Sequence, residues 1–402
     1  MGSAAAHPAD GGHPGRACLD RARALGPTIA AAAATLERQR ELPEPLVEAL
    51  ARNGLFRLLL PRSLGGAELP PADYVPVIEE VARHDASVAW CLGQACGCSM
   101  TAAYLAAGAA QEIFGGERGI VAWGPPGSPA EAHSVPGGYR LSGTWSFASG
   151  SHHASWLGAH VSVSSADGTP RLRPDGSPVL RTLLFPKASA RITDIWRVIG
   201  LRGTGSDSYR VTKLFVPEAH AVERSPAAAP REAGVLYAFS SSNVYSAGFA
   251  GVALGIARGT LDAFVGLARD KIPRGAQRTL RDNHVIQAQV AQAQARIGAA
   301  RAFLLDGLDE IWREVETTGR LSLDHNTTIR LASTWAIHQA KDAVDTLYHA
   351  AGATAIFEDN PFERRFRDIH TVIQQYQGRQ AHFESVGQVL LGLSTENTMF
   401  TF

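Results

Sequence analysis

The chain has little cysteine for its length and no surplus of charge of either sign. It contains 402 residues, among them 4 cysteines, 38 lysines or arginines and 38 aspartates or glutamates. The few cysteines, clustered at 91–98 apart from Cys18, do not form the pattern of a disulfide scaffold. The balanced charge gives no support for nucleic-acid binding or for an acidic disordered tail. The composition therefore favours an enzyme of small molecules, with enough residues for two or three domains.

Long hydrophobic runs and a secretory signal are also missing. The segments "IAAAAA" and "FRLLLP" are far shorter than the roughly 18 apolar residues that cross a bilayer. Residues 1–16 are rich in alanine, glycine and proline and lack the apolar centre of a signal peptide. We predict a disordered tail over 1–16 and a cytoplasmic protein without a membrane partner.

The motifs of several common catalytic centres are absent. No H-E-x-x-H motif or paired CxxC occurs, and the adjacent His152 and His153 would point to opposite faces of a strand. Ser149 lacks the G-x-S-x-G context of a hydrolase nucleophile. The segment "GLRGTGS" (200–206) leads into a predicted strand and lacks a P-loop ending. We therefore predict no metal, no catalytic triad, no phosphate loop and no nicotinamide site of its own.

The spacing of apolar residues changes twice along the chain. Residues 17–117 and 232–402 carry apolar residues at helical spacing, whereas 118–222 alternate in short runs between turn signals. Gly137-Gly138 between two such runs predicts a hairpin. Gly251, Gly255 and Gly259 recur every four residues, which favours a close helix crossing over a ligand site. The chain is therefore predicted as helices, then a small β-domain, then a helical bundle.

The stretch "GTWSFASGSHHASW" (143–156) is the densest group of aromatic and hydroxyl side chains. In a strand, Trp145 and Phe147 would share one face, and Ser149 and Ser151 would follow beyond them. A flat apolar surface beside hydroxyls suits an isoalloxazine ring, whose N5 edge needs a hydrogen-bond partner. A tryptophan-rich strand that fills a β-core has the same composition, so the residues alone leave both interpretations open.

Three motifs in order resemble a known family. They are "GTWSFASGSHHASW", "WRVIGLRGTGSDSYRVTKLFVPE" and "NPFERRFRDIHTVIQQY". With the order helical, β, helical, they resemble the acyl-CoA dehydrogenase fold, and within it the two-component flavin-dependent monooxygenases. The resemblance implies an α+β architecture with an N-terminal helical domain, a central small β-barrel or sandwich and a C-terminal four-helix bundle. It also implies reduced FMN or FAD from a separate flavin reductase, O2 as co-substrate, and a homo-oligomer, dimer or tetramer.

The resemblance assigns roles by position. Ser149 would hydrogen-bond the flavin near N5, Trp196 would cover the ring, and Arg274 would reach the flavin phosphates of a neighbouring subunit. The full set of implied flavin-binding residues is Trp123, Phe147, Ala148, Ser149, Trp196, Arg202, Thr204, Ser206 and Arg274.

The departures from the family pattern concern the catalytic base. Tyr376 stands where acyl-CoA dehydrogenases carry a glutamate, so proton abstraction from an acyl-CoA lacks its base. Gln375 and Cys98 stand where the related aromatic hydroxylases carry histidines. His370 is close in sequence but more than a helical turn from position 375, so we expect it to face elsewhere while keeping it as a candidate. The candidate catalytic residues are Ser149, Cys98, His370, Gln375 and Tyr376.

A pocket with Cys98, Gln375 and Tyr376 can form hydrogen bonds but is a poor base near neutral pH, so the substrate would bring its own nucleophilic centre. We predict a flavin-dependent monooxygenase of a small aromatic or amine-bearing specialised metabolite. Two alternatives stay open: an oxidase or dehydrogenase of the same fold without oxygen insertion, and a non-redox, degenerate member. The roles of His152 and His153 also stay open, one expected at the surface of the β-domain and the other near the site.

Overall fold

The computed structural model describes residues 13–223 and 228–393. The first part is helical, and α1 begins at Pro14, inside the predicted tail, of which residues 1–12 lie outside the described ranges. Proline suits this first helical position because its missing N–H has no partner there. The N-terminal helices are α1 (Pro14–Gln39), α2 (Glu44–Arg52), α3 (Pro71–His84), α4 (Ala86–Ser99) and α5 (Ala107–Phe114).

The central part is one mixed sheet of 8 strands among the described residues. The strands are β1 (Val121–Ala122), β2 (Pro126–Val135), β3 (Gly138–Trp145), β4 (Trp156–Ser164), β5 (Leu180–Pro186), β6 (Arg191–Thr193), β7 (Ser208–Pro217) and β8 (Ala221–Glu223). Their order is β6-β7-β3-β2-β4-β5-β8, and β1 pairs with β4 in parallel. The predicted hairpin is confirmed, because β2 and β3 are antiparallel neighbours with Gly137 at φ 79° in the turn.

The last part is a helical bundle. Its helices are α6 (Ser241–Asp270), α7 (His284–Thr318), α8 (Leu323–Ala351), α9 (Pro361–Val372) and α10 (Ala381–Leu390). Ser240 and Ser322 close capping boxes at the starts of α6 and α8, which satisfies backbone N–H groups that a helix leaves free. Helix α6, unlike the short runs noted above, is long and apolar enough to cross a membrane by length and composition. However, 67% of its apolar 18-residue stretch is buried within the fold.

The glycine row on α6 lies against α3, as predicted. A Cβ at Gly255 would approach the carbonyl oxygen of Glu79 to 2.3 Å, and one at Gly259 would approach that of Arg83 to 2.7 Å. The two helices can therefore cross this closely only because the side chains are missing. Helix α4 packs against α3, α6 and β1, so the helical core and the sheet meet along it.

Candidate active site

Ser149 lies in a turn between β3 and β4 and not in a strand. Strand β3 ends at Trp145, which is fully buried, and Phe147 adopts φ 58° with 61% of its surface exposed. The expectation that Trp145 and Phe147 share a strand face is therefore wrong, because the left-handed residue reverses the chain. The turn is held by the N–H of Ala148, which donates to Asp207 O at 3.1 Å, and that of Gly150, which donates to Thr204 O at 2.9 Å.

These backbone bonds bring the Ser149 turn onto the segment before β7, where a group of hydroxyls forms. Ser149 Oγ lies 2.7 Å from Ser206 Oγ, which lies 2.7 Å from Thr204 Oγ1. Thr204 Oγ1 donates to the carbonyl of Leu201 at 2.8 Å, and the indole N–H of Trp90 donates to Ser149 Oγ at 3.0 Å. Three residues assigned to the flavin site by resemblance, Ser149, Thr204 and Ser206, therefore form one hydrogen-bonded group.

Trp90 begins a wall of stacked aromatic rings next to Ser149. Its ring stacks on Phe249 of α6 at 3.9 Å between centroids, and Phe249 stacks on Tyr245 at 5.6 Å. Glycines of α4 make room for these rings: a Cβ at Gly97 would lie 2.3 Å from the Tyr245 ring. Phe249 stacks on both other rings, and Trp90 and Phe249 are buried, so the wall is a planar, apolar part of the core that adjoins Ser149.

Cys98, Gln94 and Tyr245 form the polar end of the wall. Cys98 Sγ lies 3.5 Å from the Tyr245 hydroxyl and accepts from Gln94 Nε2 at 3.5 Å. Gln94 Nε2 also donates to the carbonyl of Trp123 at 3.3 Å, whose ring lies over Gly158. Burial raises the pKa of the Cys98 thiol to about 12, so it stays protonated at neutral pH and is no base. Cys98 and Trp123 are thus connected to Ser149 through the aromatic wall.

Trp196 lies in a tethered loop after β6. Asp207 Oδ1 accepts from the backbone N–H groups of Ile195 at 2.7 Å and of Trp196 at 2.9 Å, and the Trp196 indole donates to Leu201 O at 3.0 Å. The Trp196 ring meets Phe147 edge to face at 6.0 Å. Because the buried Asp207 accepts both backbone N–H groups and also contacts His152, the loop is held in one position beside Phe147.

The two histidines of the motif have different surroundings. His152 lies between Asp207 Oδ2, at 2.7 Å from Nε2, and Glu41 Oε2, at 2.9 Å from Nδ1, so it supports the Trp196 loop through Asp207. His153 is buried beside Phe56, and burial lowers its pKa to about 3, so the ring is neutral. Neither imidazole contacts the Ser149 hydroxyl in the described hydrogen bonds.

A buried carboxyl from α9 supports the segment before the hydroxyl group. Asp368 Oδ1 accepts from the N–H of Leu201 at 2.6 Å. Burial, and then the nearby Asp85, raise the pKa of Asp368 to about 7. Asp85 caps α4 by accepting from Val88 N and lies 3.9 Å from the guanidinium of Arg364. Asp368 therefore joins α9 to the Leu201 segment and lies near the N-terminus of α4.

The remaining candidates of α9 and the turn after it do not join Ser149 through the described contacts. His370 Nε2 lies 2.9 Å from Asp345 Oδ1 on α8, because α9 turns this side away from α4. Gln375 uses its side chain to accept from Gln377 N at 2.7 Å. Tyr376 packs its ring against His382 at 5.0 Å and under Arg379 at 4.8 Å. The family position of the base is thus occupied by groups that hold the turn after α9.

Two features beside Ser149 fit a bound flavin: an unpartnered donor on Arg202 and the exposed ring of Phe147. Arg202 pairs with Glu37 at 3.7 Å, but its buried Nε has no hydrogen-bond partner among the described residues. A buried donor without a partner is costly, so a ligand oxygen there would satisfy it. Phe147 is mostly exposed beside Trp196 and Ser149, which leaves an aromatic surface to be covered. Arg274 is exposed in the loop between α6 and α7, away from these groups in sequence.

Comparisons with known proteins agree with this geometry. The family models "Acyl-CoA dehydrogenase, N-terminal domain" and "Acyl-CoA dehydrogenase, C-terminal domain" match residues 16–112 and 247–380. The indole-3-acetate monooxygenase of Pseudomonas putida is 28% identical, with 89% of each chain covered. The flavin-dependent monooxygenase oxygenase subunit HsaA of Rhodococcus jostii is 27% identical, with 88% of this chain and 92% of that protein covered.

A solved structure shares the fold over nearly all of the chain. The 3-HSA hydroxylase from Rhodococcus sp. RHA1 superposes with a TM-score of 0.85 at 25% identity, covering 95% of this chain and 98% of its own. The chain belongs to the acyl-CoA dehydrogenase family. Within that family it is similar to the oxygenase components of two-component flavin-dependent monooxygenases, oxidoreductases that use reduced flavin and O2. The predictions of fold, enzyme class and cofactor are confirmed.

The sequence prediction missed most of the aromatic wall. Trp90 ends the stretch "DASVAW" (85–90), which fits a D-x-S-x-x-W pattern of the related aromatic hydroxylases, so this pattern was a signal by which Trp90 could have been found. Tyr245 and Phe249 are four residues apart on one helix, which predicts a shared face but not what that face meets. Nothing in the sequence pointed to Asp207 except its position directly after the segment 200–206.

Proposed function

We propose that the protein is the oxygenase component that hydroxylates a small, electron-rich aromatic metabolite with reduced flavin and O2. The observation that carries the proposal is the hydrogen bond from Trp90 to Ser149. It places the hydrogen-bonded hydroxyls assigned to the flavin next to the aromatic wall. The flavin, when bound, supplies the activated oxygen. The names of both relatives described above are those of monooxygenases, and one of them acts on an indole.

The residues of the chain have distinct tasks in this proposal. Phe147 and Trp196 pack against the flavin ring, Ser149 meets its N5 edge, and Arg202 contributes a donor to a flavin oxygen. Trp90, Phe249 and Tyr245 receive the planar substrate and keep water away from the reacting atoms. The stacking geometry of these three rings supports an aromatic over an aliphatic substrate.

The substrate is one that does not need a protein base. Cys98 keeps its proton at neutral pH, His370 is engaged by Asp345, and Tyr376 replaces a carboxylate. An indole or an aniline ring is already nucleophilic, whereas a phenol gains much of its reactivity by losing a proton. We therefore place an indole-like or amine-bearing ring ahead of a simple phenol, in keeping with a specialised metabolite.

Oligomerisation and the reductase belong to the same proposal. Arg274 would reach a neighbouring subunit's flavin, and apolar side chains such as Phe303 and Trp335 remain 40% and 43% exposed on α7 and α8. A homo-oligomer built through these helices would cover them. The protein would act in the cytoplasm, where a separate reductase supplies FMN or FAD in reduced form.

Incorporation of isotopically labelled dioxygen tests the proposal. The protein is mixed with reduced FMN or reduced FAD, labelled O2 and, in separate reactions, an indole, an aniline and a phenol. Labelled hydroxylated product from the indole or the aniline supports the proposal. Hydrogen peroxide as the sole product with all three rings and both flavins would overturn it in favour of an oxidase, and failure to bind either flavin would favour a degenerate member.

A further inference from the structure

The hydroxyl group at Ser149 is a chain whose two ends have fixed hydrogen-bond roles. The indole N–H of Trp90 donates only, and the backbone carbonyl of Leu201 accepts only. Between them lie Ser149, Ser206 and Thr204, with successive separations of 3.0, 2.7, 2.7 and 2.8 Å from Trp90 to Leu201. The three hydroxyls are 2–5% exposed, so bulk water hardly competes for these bonds.

One assignment of protons satisfies all four contacts. Thr204 gives its only proton to Leu201 O, because two oxygens without a proton between them would repel at 2.8 Å. Thr204 must then accept from Ser206, and Ser206 must accept from Ser149. Ser149 therefore gives its proton to Ser206 and accepts from Trp90. Every bond of the chain points from Trp90 toward Leu201.

This direction leaves Ser149 with one free lone pair and no free proton. A partner at that position must be a donor. The N5 atom of a reduced flavin carries a hydrogen and donates, whereas N5 of an oxidised flavin is an acceptor. An oxidised flavin at Ser149 would place two lone pairs face to face or would require the whole chain to reverse against Leu201 O.

We propose that Thr204 and Ser206 set the redox-state specificity of the site by holding Ser149 as a hydrogen-bond acceptor, so that the protein binds reduced flavin in preference to oxidised flavin. The inference rests on the proposed function, because it needs flavin N5 at Ser149. It deepens that function: an oxygenase component must capture reduced flavin from its reductase and release the oxidised form after turnover. Thr204 and Ser206 act here through Ser149 and are positioning residues.

Equilibrium binding measures this preference without any turnover. Titrations of the full chain under anaerobic conditions give dissociation constants for reduced FMN and FAD, and titrations in air give those for the oxidised forms. The quantity of interest is the ratio of the oxidised to the reduced constant, which we expect to exceed one. Thr204→Val frees the proton of Ser206, and Ser206→Ala frees that of Ser149, so each lets Ser149 donate to oxidised N5.

Both variants should lower the ratio on the order of tenfold, the factor that one mismatched buried hydrogen bond makes in a binding constant. Thr260→Val is the matched control, because Thr260 is also fully buried and its hydroxyl donates to a backbone carbonyl, Ile256 O, at 2.8 Å. We expect it to leave the ratio unchanged.

The outcomes separate the inference from the function on which it rests. Folded Thr204→Val and Ser206→Ala proteins that keep the ratio of the unmodified protein would overturn the inference while leaving flavin binding in place. If the unmodified protein binds neither FMN nor FAD in either redox state, the proposed function fails as well. Should Thr204→Val not fold, Ser206→Ala alone decides, since it removes one hydroxyl and leaves the bond from Thr204 to Leu201.

Discussion

Replacing Gly97 by alanine should push the Tyr245 ring out of the aromatic wall. Gly97 lies inside α4, and a Cβ there would lie 2.3 Å from Tyr245 Cε1 and 2.6 Å from Cζ. Carbon atoms without a bond between them stay about 3.5 Å apart or more, so the ring must retreat by about 1 Å. It cannot retreat alone, because it stacks on Phe249 and its hydroxyl contacts Cys98.

The size of the effect follows from a matched pair on the same helix. A Cβ at Gly93, one turn earlier, meets Phe249 at 3.4 Å and the Tyr74 hydroxyl at 3.5 Å, so alanine nearly fits. Both substitutions gain up to about 1 kcal/mol of helix propensity, which cancels between them. Overpacking a core costs about 1–3 kcal/mol. Gly97→Ala should therefore be about 1–3 kcal/mol less stable than Gly93→Ala.

Urea unfolding and steady-state kinetics measure the two consequences. We expect Gly93→Ala to equal or exceed the unmodified protein in free energy of unfolding and to keep its activity. Gly97→Ala should fall below it in stability and should raise the KM for the aromatic substrate, with little change in the dissociation constant of reduced flavin. Equal stability and equal KM in the two variants would refute the placement of Tyr245 in the substrate wall.

Three further changes test the supporting parts of the site. Asp368 keeps its proton to about pH 7 when folded but only to about pH 4 when unfolded, so its contribution to stability is full below about pH 4 and is lost as the pH rises to 7. Asparagine does not titrate, so the free energy of unfolding of Asp368→Asn minus that of the unmodified protein should rise by up to about 4 kcal/mol between about pH 4 and pH 7. If urea unfolding gives a difference that does not change with pH, the pKa of Asp368 is not raised in the folded protein. Trp196→Ala should weaken reduced-flavin binding by about 1–3 kcal/mol in anaerobic titrations, and no loss would mean that the ring does not cover the flavin. Ser149→Ala should shift oxygen use from hydroxylated product to hydrogen peroxide, measured with a peroxide assay beside product analysis, and unchanged coupling would remove Ser149 from the flavin N5 edge.

Much of the architecture and the flavin side of the site could be predicted from the sequence. The helical, β, helical order, the hairpin at Gly137 and the glycine crossing on α6 are local patterns, and the structure contains all three. The motif around Ser149 and the segment 200–206 led to residues that the structure joins in one hydrogen-bonded group. The prediction that Trp145 and Phe147 share a strand face failed because of one backbone angle. The positive φ of Phe147 turns the chain after the strand and leaves the ring exposed.

Periodicity and motif spacing by themselves determined which face of each element is buried, which family pattern the chain follows and that the usual catalytic base is missing. Only the tertiary structure decided which faces meet. Trp90 and Ser149 are 59 positions apart, and Cys98 and Tyr245 are 147 positions apart. Their contacts arise from the packing of α4 against α6 and the sheet, where side-chain volumes such as the missing Cβ of Gly97 select one arrangement. The direction of the hydroxyl chain is likewise tertiary, because it depends on a backbone carbonyl that folding places at its end.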